Sequence, residues 1–166
     1  MSEAQEQEGR TSETVRQTGW ASARTRRVSS GADWEPIVGY SRAVAAGDYI
    51  FVSGCTSIAG ADFVHPGDAY AQTAQAIANV ESALAGLGAS LADVIRTRMF
   101  VTDIGQWKEY GRAHGEAFAD VRPATSMVQI GALIDSRMLV EVEAVAYKPG
   151  AGGGSAGDPP PETGLL

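Results

Sequence analysis

One cysteine, Cys55, is the only thiol in this chain of 166 residues. No disulfide can close within it, and a cysteine-built metal cluster is not expected. No apolar run approaches the roughly 20 residues that a membrane span needs. Positive charge is scarce as well: 13 Lys and Arg stand against 20 Asp and Glu, a net charge of −7. Nucleic-acid binding needs a basic patch that displaces counterions, and the one dense basic run is "RTRR" at 24–27, read as a solvated arm. The opening "MSEAQEQEGR" is polar and acidic, the wrong chemistry for a signal peptide, so a reduced, cytoplasmic setting is the default expectation.

What is present suits one soluble domain: 44% hydrophobic and 20% charged residues, in a chain too short for two domains of ordinary size. The ends differ from the middle. Residues 1–24 are rich in Glu, Gln, Ser and Thr, and residues 149–166 are nearly all Gly, Pro and small side chains. Neither end buries enough apolar area to offset its ordering entropy, so both are expected to be disordered arms around a domain at 25–148.

Inside that domain the hydrophobic period switches in order. "GYSRAVAAG" and "DYIFVSG" read as a hairpin. "DAYAQTAQAIANVESALAGLG" reads as a helix, with Asp68 as its N-cap, Ile77, Val80, Leu84 and Leu87 on one face, and Gly88 as a left-handed stop. "DVIRTRMFVTD" alternates as a strand, with Ile95, Thr97, Met99 and Val101 expected toward the helices and Arg96, Arg98 and Phe100 away. A second helix carries Trp107, Tyr110, Gly111, His114 and Phe118 on one stripe, and "ATSMVQIGAL" and "RMLVEVEAVAYK" close the domain as strands. With a weak first strand near Arg26–Ser29, the order is β-β-β-α-β-α-β-β, an α+β fold. Two helices cover one face of the sheet, and self-association is the cheap way to cover the other.

"GYS" at 39–41, "FVSG" at 51–54, "GASLADVIRTRMFVTD" at 88–103, "RPATS" at 122–126 and "VEVEAVA" at 140–146 together resemble the Rid family, the YjgF-like imine and enamine deaminases. The resemblance implies a mixed six-stranded sheet with two helices on one face, a chorismate-mutase-like fold. It also implies a homotrimer with clefts between subunits, a small-molecule substrate and no cofactor or metal. Members of the family hydrolyse imines such as 2-iminopropionate, using an arginine after Pro-Ala to grip the carboxylate and a glutamate on the last strand to help water attack.

Carried over by position, Tyr40, Ser53, Gly54 and Cys55 line the expected cleft, and Glu141 is the base or water-orienting group. Each has a plain structural alternative. Tyr40 can pack at a subunit seam, Gly54 can be a bulge glycine, and Cys55 can be an inert buried thiol. Glu141 can pair with Arg96 or Arg98. Glu143 shares its strand face. His114 can move a proton near neutral pH, or sit satisfied in the core.

Two positions depart from the deaminase pattern. Thr125 stands where the arginine is expected, and Gly111 where the family often has asparagine. A threonine cannot form a bidentate, charge-assisted carboxylate contact, a loss of roughly 2–5 kcal/mol in a desolvated cleft. Arg98 or Arg122 is the candidate replacement. The expectation is a trimeric enzyme acting on a small imine, enamine or related carbonyl compound other than the usual 2-iminocarboxylate. Glu141, His114 and Thr125 would do the chemistry, with Ser126 and Arg98 among the binding residues. The alternatives are a tailoring enzyme of secondary metabolism acting on a bulkier intermediate, and a ligand-binding trimer without turnover. A nuclease role is disfavoured by the acidic charge.

Overall fold

A computed structural model describes residues 25–153. The hairpin forms as expected: β2 (Ala43–Ala46) and β3 (Tyr49–Cys55) pair antiparallel through a tight turn at Gly47 and Asp48. With β1 (Thr25–Val28), β6 (Val94–Val101), β7 (Ala124–Gln129) and β8 (Val140–Tyr147), they make a six-stranded sheet in the order β1-β2-β3-β8-β6-β7. Only β6 and β7 run parallel, so the sheet is mixed. Between β6 and β7 runs α3 (Trp107–Ala117), the crossover that a parallel pair requires.

The long helix α2 (Ala69–Ala85) starts where Asp68 Oδ1 accepts a 2.9 Å hydrogen bond from the Ala71 N–H. The chain leaves it through Gly88, whose φ of +80° suits glycine. Its Ile77, Val80 and Leu84, with Leu87 just beyond, pack on Ile50, Val52, Met99, Val142 and Ala144 from the sheet. Along β8 burial alternates residue by residue: Val140, Val142, Ala144 and Ala146 point into this core, while Glu141, Glu143 and Val145 point to the open face.

Three expectations need correction. The alternation in β6 breaks at its start: a bulge opposite β8 adds a residue between Val94 and Arg96, so Val94 is buried and Ile95 is exposed. Trp107 begins α3 facing solvent, and Ala113 joins Tyr110 in the buried stripe instead. The segment after 148 was expected to leave the domain, yet Ala151 and Gly152 are buried. Gly152 N–H donates to the Gly47 carbonyl, and Arg26 donates to the Ala151 carbonyl. The rest of both expected arms, 1–24 and 154–166, lies outside the described residues.

Three elements were not anticipated. A short helix, α1 (Trp34–Val38), closes on Gly39 at φ +81°, and a two-residue hairpin joins β4 (Ile58–Ala59) to β5 (Asp62–Phe63). Among the described residues no helix is long and apolar enough to cross a membrane, and no cluster of three or more His, Cys, Asp or Glu could hold a metal.

Candidate functional site

The expected site residues fall into two groups on opposite faces of the sheet. The first surrounds Glu141 on the open face. The β3 strand bulges against β8 at Ser53 and Gly54, which brings the strand backbone under the Glu141 side chain. A Cβ at Gly54 would lie 2.4 Å from the carboxyl carbon of Glu141, so only glycine leaves that seat open. Glu141 is half-buried, and among the described residues no hydrogen bond ends on its carboxylate. Burial, with Glu143 nearby, pushes its pKa above the ordinary carboxylate value, and Arg42 opposes the shift.

Arg42, which sequence reasoning missed, organises this group. Its guanidinium donates to the carbonyls of Ser53 and Gly54, to the Cys55 sulfur at 3.4 Å and to the Tyr40 hydroxyl at 2.9 Å. Its Nε lies 4.0 Å from Glu35, whose buried carboxylate accepts hydrogen bonds from Ser29 and Ser30. Burial pushes Glu35 upward in pKa, but those hydrogen bonds and Arg42 together hold it below the ordinary value. The signal available in the sequence was an arginine directly before an apolar strand, "RAVAA". Tyr40, Ser53, Gly54 and Cys55 are thus brought together around Arg42. Ser53 spends its hydroxyl on the Ser41 carbonyl. Cys55 is buried, and burial drives its thiol pKa up in spite of Arg42, which keeps it in the protonated form.

The second group lies on the helix-covered face at the β7 edge. Parallel pairing sets Thr97 beside Thr125, and His114 reaches both from α3. His114 Nε2 is 2.9 Å from Thr97 Oγ1, which is 2.9 Å from Thr125 Oγ1, and Thr125 donates to the Pro123 carbonyl at 3.0 Å. Counting protons along this chain, Thr97 donates to Thr125 and His114 donates from Nε2, which leaves Nδ1 as the basic nitrogen. Burial lowers the His114 pKa, so the ring is neutral at pH 7. Thr97 is fully buried and Thr125 exposed, so the relay runs from interior to surface. Thr97 was read only as a strand residue. Its partnership with Thr125 follows from the strand register, which periodicity does not supply.

Gly111 leaves open space on α3: a Cβ there would meet nothing within 4 Å. Arg98 and Ser126 are neighbours on the open face, where Arg98 pairs with Glu143 at 3.2 Å. The sheet stands between Arg98 and Thr125. Within one chain, Glu141 and the His114–Thr125 pair are likewise separated by the sheet.

Comparison with known proteins agrees with this architecture. The family profile described as Endoribonuclease L-PSP matches residues 31–148. A crystal structure of Rv2704 from Mycobacterium tuberculosis, a member of the YjgF/YER057c/UK114 family, is 48% identical, covers 74% of this chain and 98% of its own, and superposes with a TM-score of 0.68. The YjgF gene product of E. coli is 26% identical over 65% of this chain and 87% of its own, with a TM-score of 0.60. The 3-aminoacrylate deaminase RutC of Acinetobacter baylyi is 33% identical over 68% of this chain and 89% of its own length. With a profile match running from α1 to the end of β8 and the same sheet recurring in solved relatives, this chain belongs to the YjgF/Rid family.

Proposed function

We propose that the protein hydrolyses or tautomerises a small imine, enamine or related carbonyl compound, in a cleft formed where the Glu141 face of one copy meets the His114–Thr125 edge of the next in a homotrimer. The observation that carries this reading is the Glu141 carboxylate. It is half-buried, free of hydrogen-bond partners among the described residues and seated on a glycine that leaves it room. A carboxylate of raised pKa is suited to take a proton from water as that water attacks the imine carbon. The C=N electron pair then moves to nitrogen, which gains a proton. Collapse of the carbinolamine breaks the C–N bond as the proton held by Glu141 passes to nitrogen and the hydroxyl gives up its own proton, expelling ammonia and leaving a carbonyl. His114 Nδ1 is the second proton carrier, with its ring held by Thr97.

The deaminase name of the RutC relative supports the reaction class. Thr125 argues against the usual 2-iminocarboxylate, because its hydroxyl is committed to Pro123 and Thr97 and carries no charge. The open space at Gly111 favours a bulkier substrate, as a tailoring enzyme would take. An RNA-cleaving role finds little support in a chain of net charge −7.

The test is ammonia release from imines generated in situ, by an amino-acid oxidase for 2-iminocarboxylates and by an amine oxidase for imines without a carboxylate, across side chains of increasing size. Turnover of 2-iminopropionate is expected to be poor and that of a larger imine better. Glu141→Gln should lower kcat by about 10²–10⁴. Efficient pyruvate release from 2-iminopropionate would overturn the reading of Thr125. Unchanged kcat in Glu141→Gln would remove Glu141 from the chemistry, and no ammonia release from any imine would leave the protein as a ligand-binding trimer.

A further inference from the structure

Beside the His114 relay, a cavity of about 360 Å³ opens between the end of α3 and the turn leading into β7, lined by His114, Gly115, Phe118, Ala119, Arg122 and Pro123. We propose that this cavity binds a carboxylate with an apolar body, gripped by Arg122 and laid against Phe118 and Pro123, and that Arg122 thereby determines which substrates the protein accepts. The inference deepens the enzymatic reading above, yet concerns binding alone and is testable without turnover.

Arg122 is built into the wall of the cavity. Its backbone is left-handed at φ +50°, which only one other non-glycine residue shares among those described. An arginine seldom adopts that conformation, and here neighbours fix it: its N–H donates to the Phe118 carbonyl at 2.9 Å, and its Nε donates to the Ala119 carbonyl at 3.2 Å. Pro123 follows directly and restricts the chain further. The guanidinium is therefore anchored by one nitrogen, with both terminal nitrogens making no protein hydrogen bond among the described residues.

Four other arginines are already committed. Arg98 pairs with Glu143, Arg112 with Glu109 and Arg137 with Asp135, while Arg42 is spent on carbonyls and Tyr40. Arg122 pairs with no carboxylate among the described residues.

The surroundings select the ligand. His114 is neutral and adds no positive charge, and its ring packs on Phe118 with centroids 4.7 Å apart. A single guanidinium with two free terminal nitrogens matches the planar fork of a carboxylate. A phosphate dianion in so acidic a protein would call for further cations. The remaining walls, Gly115, Phe118, Ala119 and Pro123, offer apolar surface, so affinity should rise with the carbon content of the acid. This arrangement gives a second reason to expect poor use of 2-iminopropionate, since its carboxylate would be drawn to the turn at 122 and its methyl group would fill little of the cavity.

The experiment titrates phenylacetate into the intact protein and follows the ring signals of the two histidines by NMR. Phenylacetamide, acetate and inorganic phosphate serve as controls. Phenylacetate is expected to shift His114 saturably and leave the exposed His65 unmoved, with each control at least tenfold weaker. Arg122→Asn removes the guanidinium but keeps a residue that tolerates the left-handed backbone, and should weaken binding at least tenfold. Gly115→Leu should abolish it: a Cβ at Gly115 meets nothing within 4 Å, so leucine fills the cavity while favouring the helix. Phenylacetamide binding as well as phenylacetate, phosphate binding more tightly, unchanged affinity in Arg122→Asn, or no saturable shift would each overturn the proposal. Glu141→Gln should bind phenylacetate normally, so a failure of the enzymatic reading and a failure of this one are distinguishable.

Discussion

At the scale of single residues, Gly54 and Glu141 are one feature. The glycine carries no side chain because the glutamate occupies the space where a Cβ would stand. The clash falls chiefly on the outer atoms of a flexible side chain, so alanine at 54 should be tolerated by the fold and resented by the site. Gly54→Ala is expected to cost about 1 kcal/mol or less of stability in a urea titration while lowering activity nearly as far as Glu141→Gln. A variant with parental kcat would show that the position of Glu141 does not matter. Position 125 is reinterpreted by the same kind of contact. A threonine there looked like the loss of an arginine; in the fold it terminates a relay from His114 through Thr97, and the exposed cation of that edge stands at Arg122.

Between elements, His114 is the polar link that fastens α3 to the strand β6, and its charge state bears on how well that junction holds. Burial keeps its pKa in the folded protein below the ordinary 6.5, which unfolding restores. The unfolded chain therefore binds the extra proton more readily. The contribution of His114 to stability is complete above about pH 6.5 and is lost as pH falls through the folded value. Urea midpoints of the parent should drop between pH 7 and 5.5 relative to those of His114→Gln, which retains a donor toward Thr97. A parent that gains on the variant as pH falls would contradict the assignment. Elements of this kind were legible where local rules govern them. Asp68 and Gly88 marked α2, and period-two spacing put Glu141 and Glu143 on one face of β8. The bulge that turns Ile95 outward was not legible, because it depends on the register against β8 and not on the composition of β6. For related reasons the Arg42 cluster and the Thr97–Thr125 pair were missed: the first depends on the bulge at Ser53 and Gly54 within the hairpin, the second on the register of strands far apart in sequence, and period-two patterning assigns a face without naming the neighbour across it.

The whole molecule poses the question of how Glu141 and His114 can serve one reaction when the sheet divides them. A second copy answers it, if the open face of one chain packs beside the β7 edge of another. That face carries Phe51, which is 51% exposed, with Ile95 and Val128 also exposed, an apolar surface a soluble monomer would ordinarily cover. Because Phe51 is outside the core of its own chain, Phe51→Asp should leave the fold intact by circular dichroism. In sedimentation it should reduce the proposed trimer to a monomer, since a buried, unpaired carboxylate would be placed in the interface. Activity should fall with the mass, although Glu141, His114 and Arg122 are all unaltered. A complementary mixture carries the same logic further. Glu141→Gln and His114→Gln are each expected to be inactive, yet subunits dissociated together and reassembled should recover part of the activity, because some clefts then receive the glutamate of one parent and the histidine of the other. A mixture that stays inactive, or a Phe51→Asp monomer that works at the parental rate, would place both groups in a site that a single chain completes.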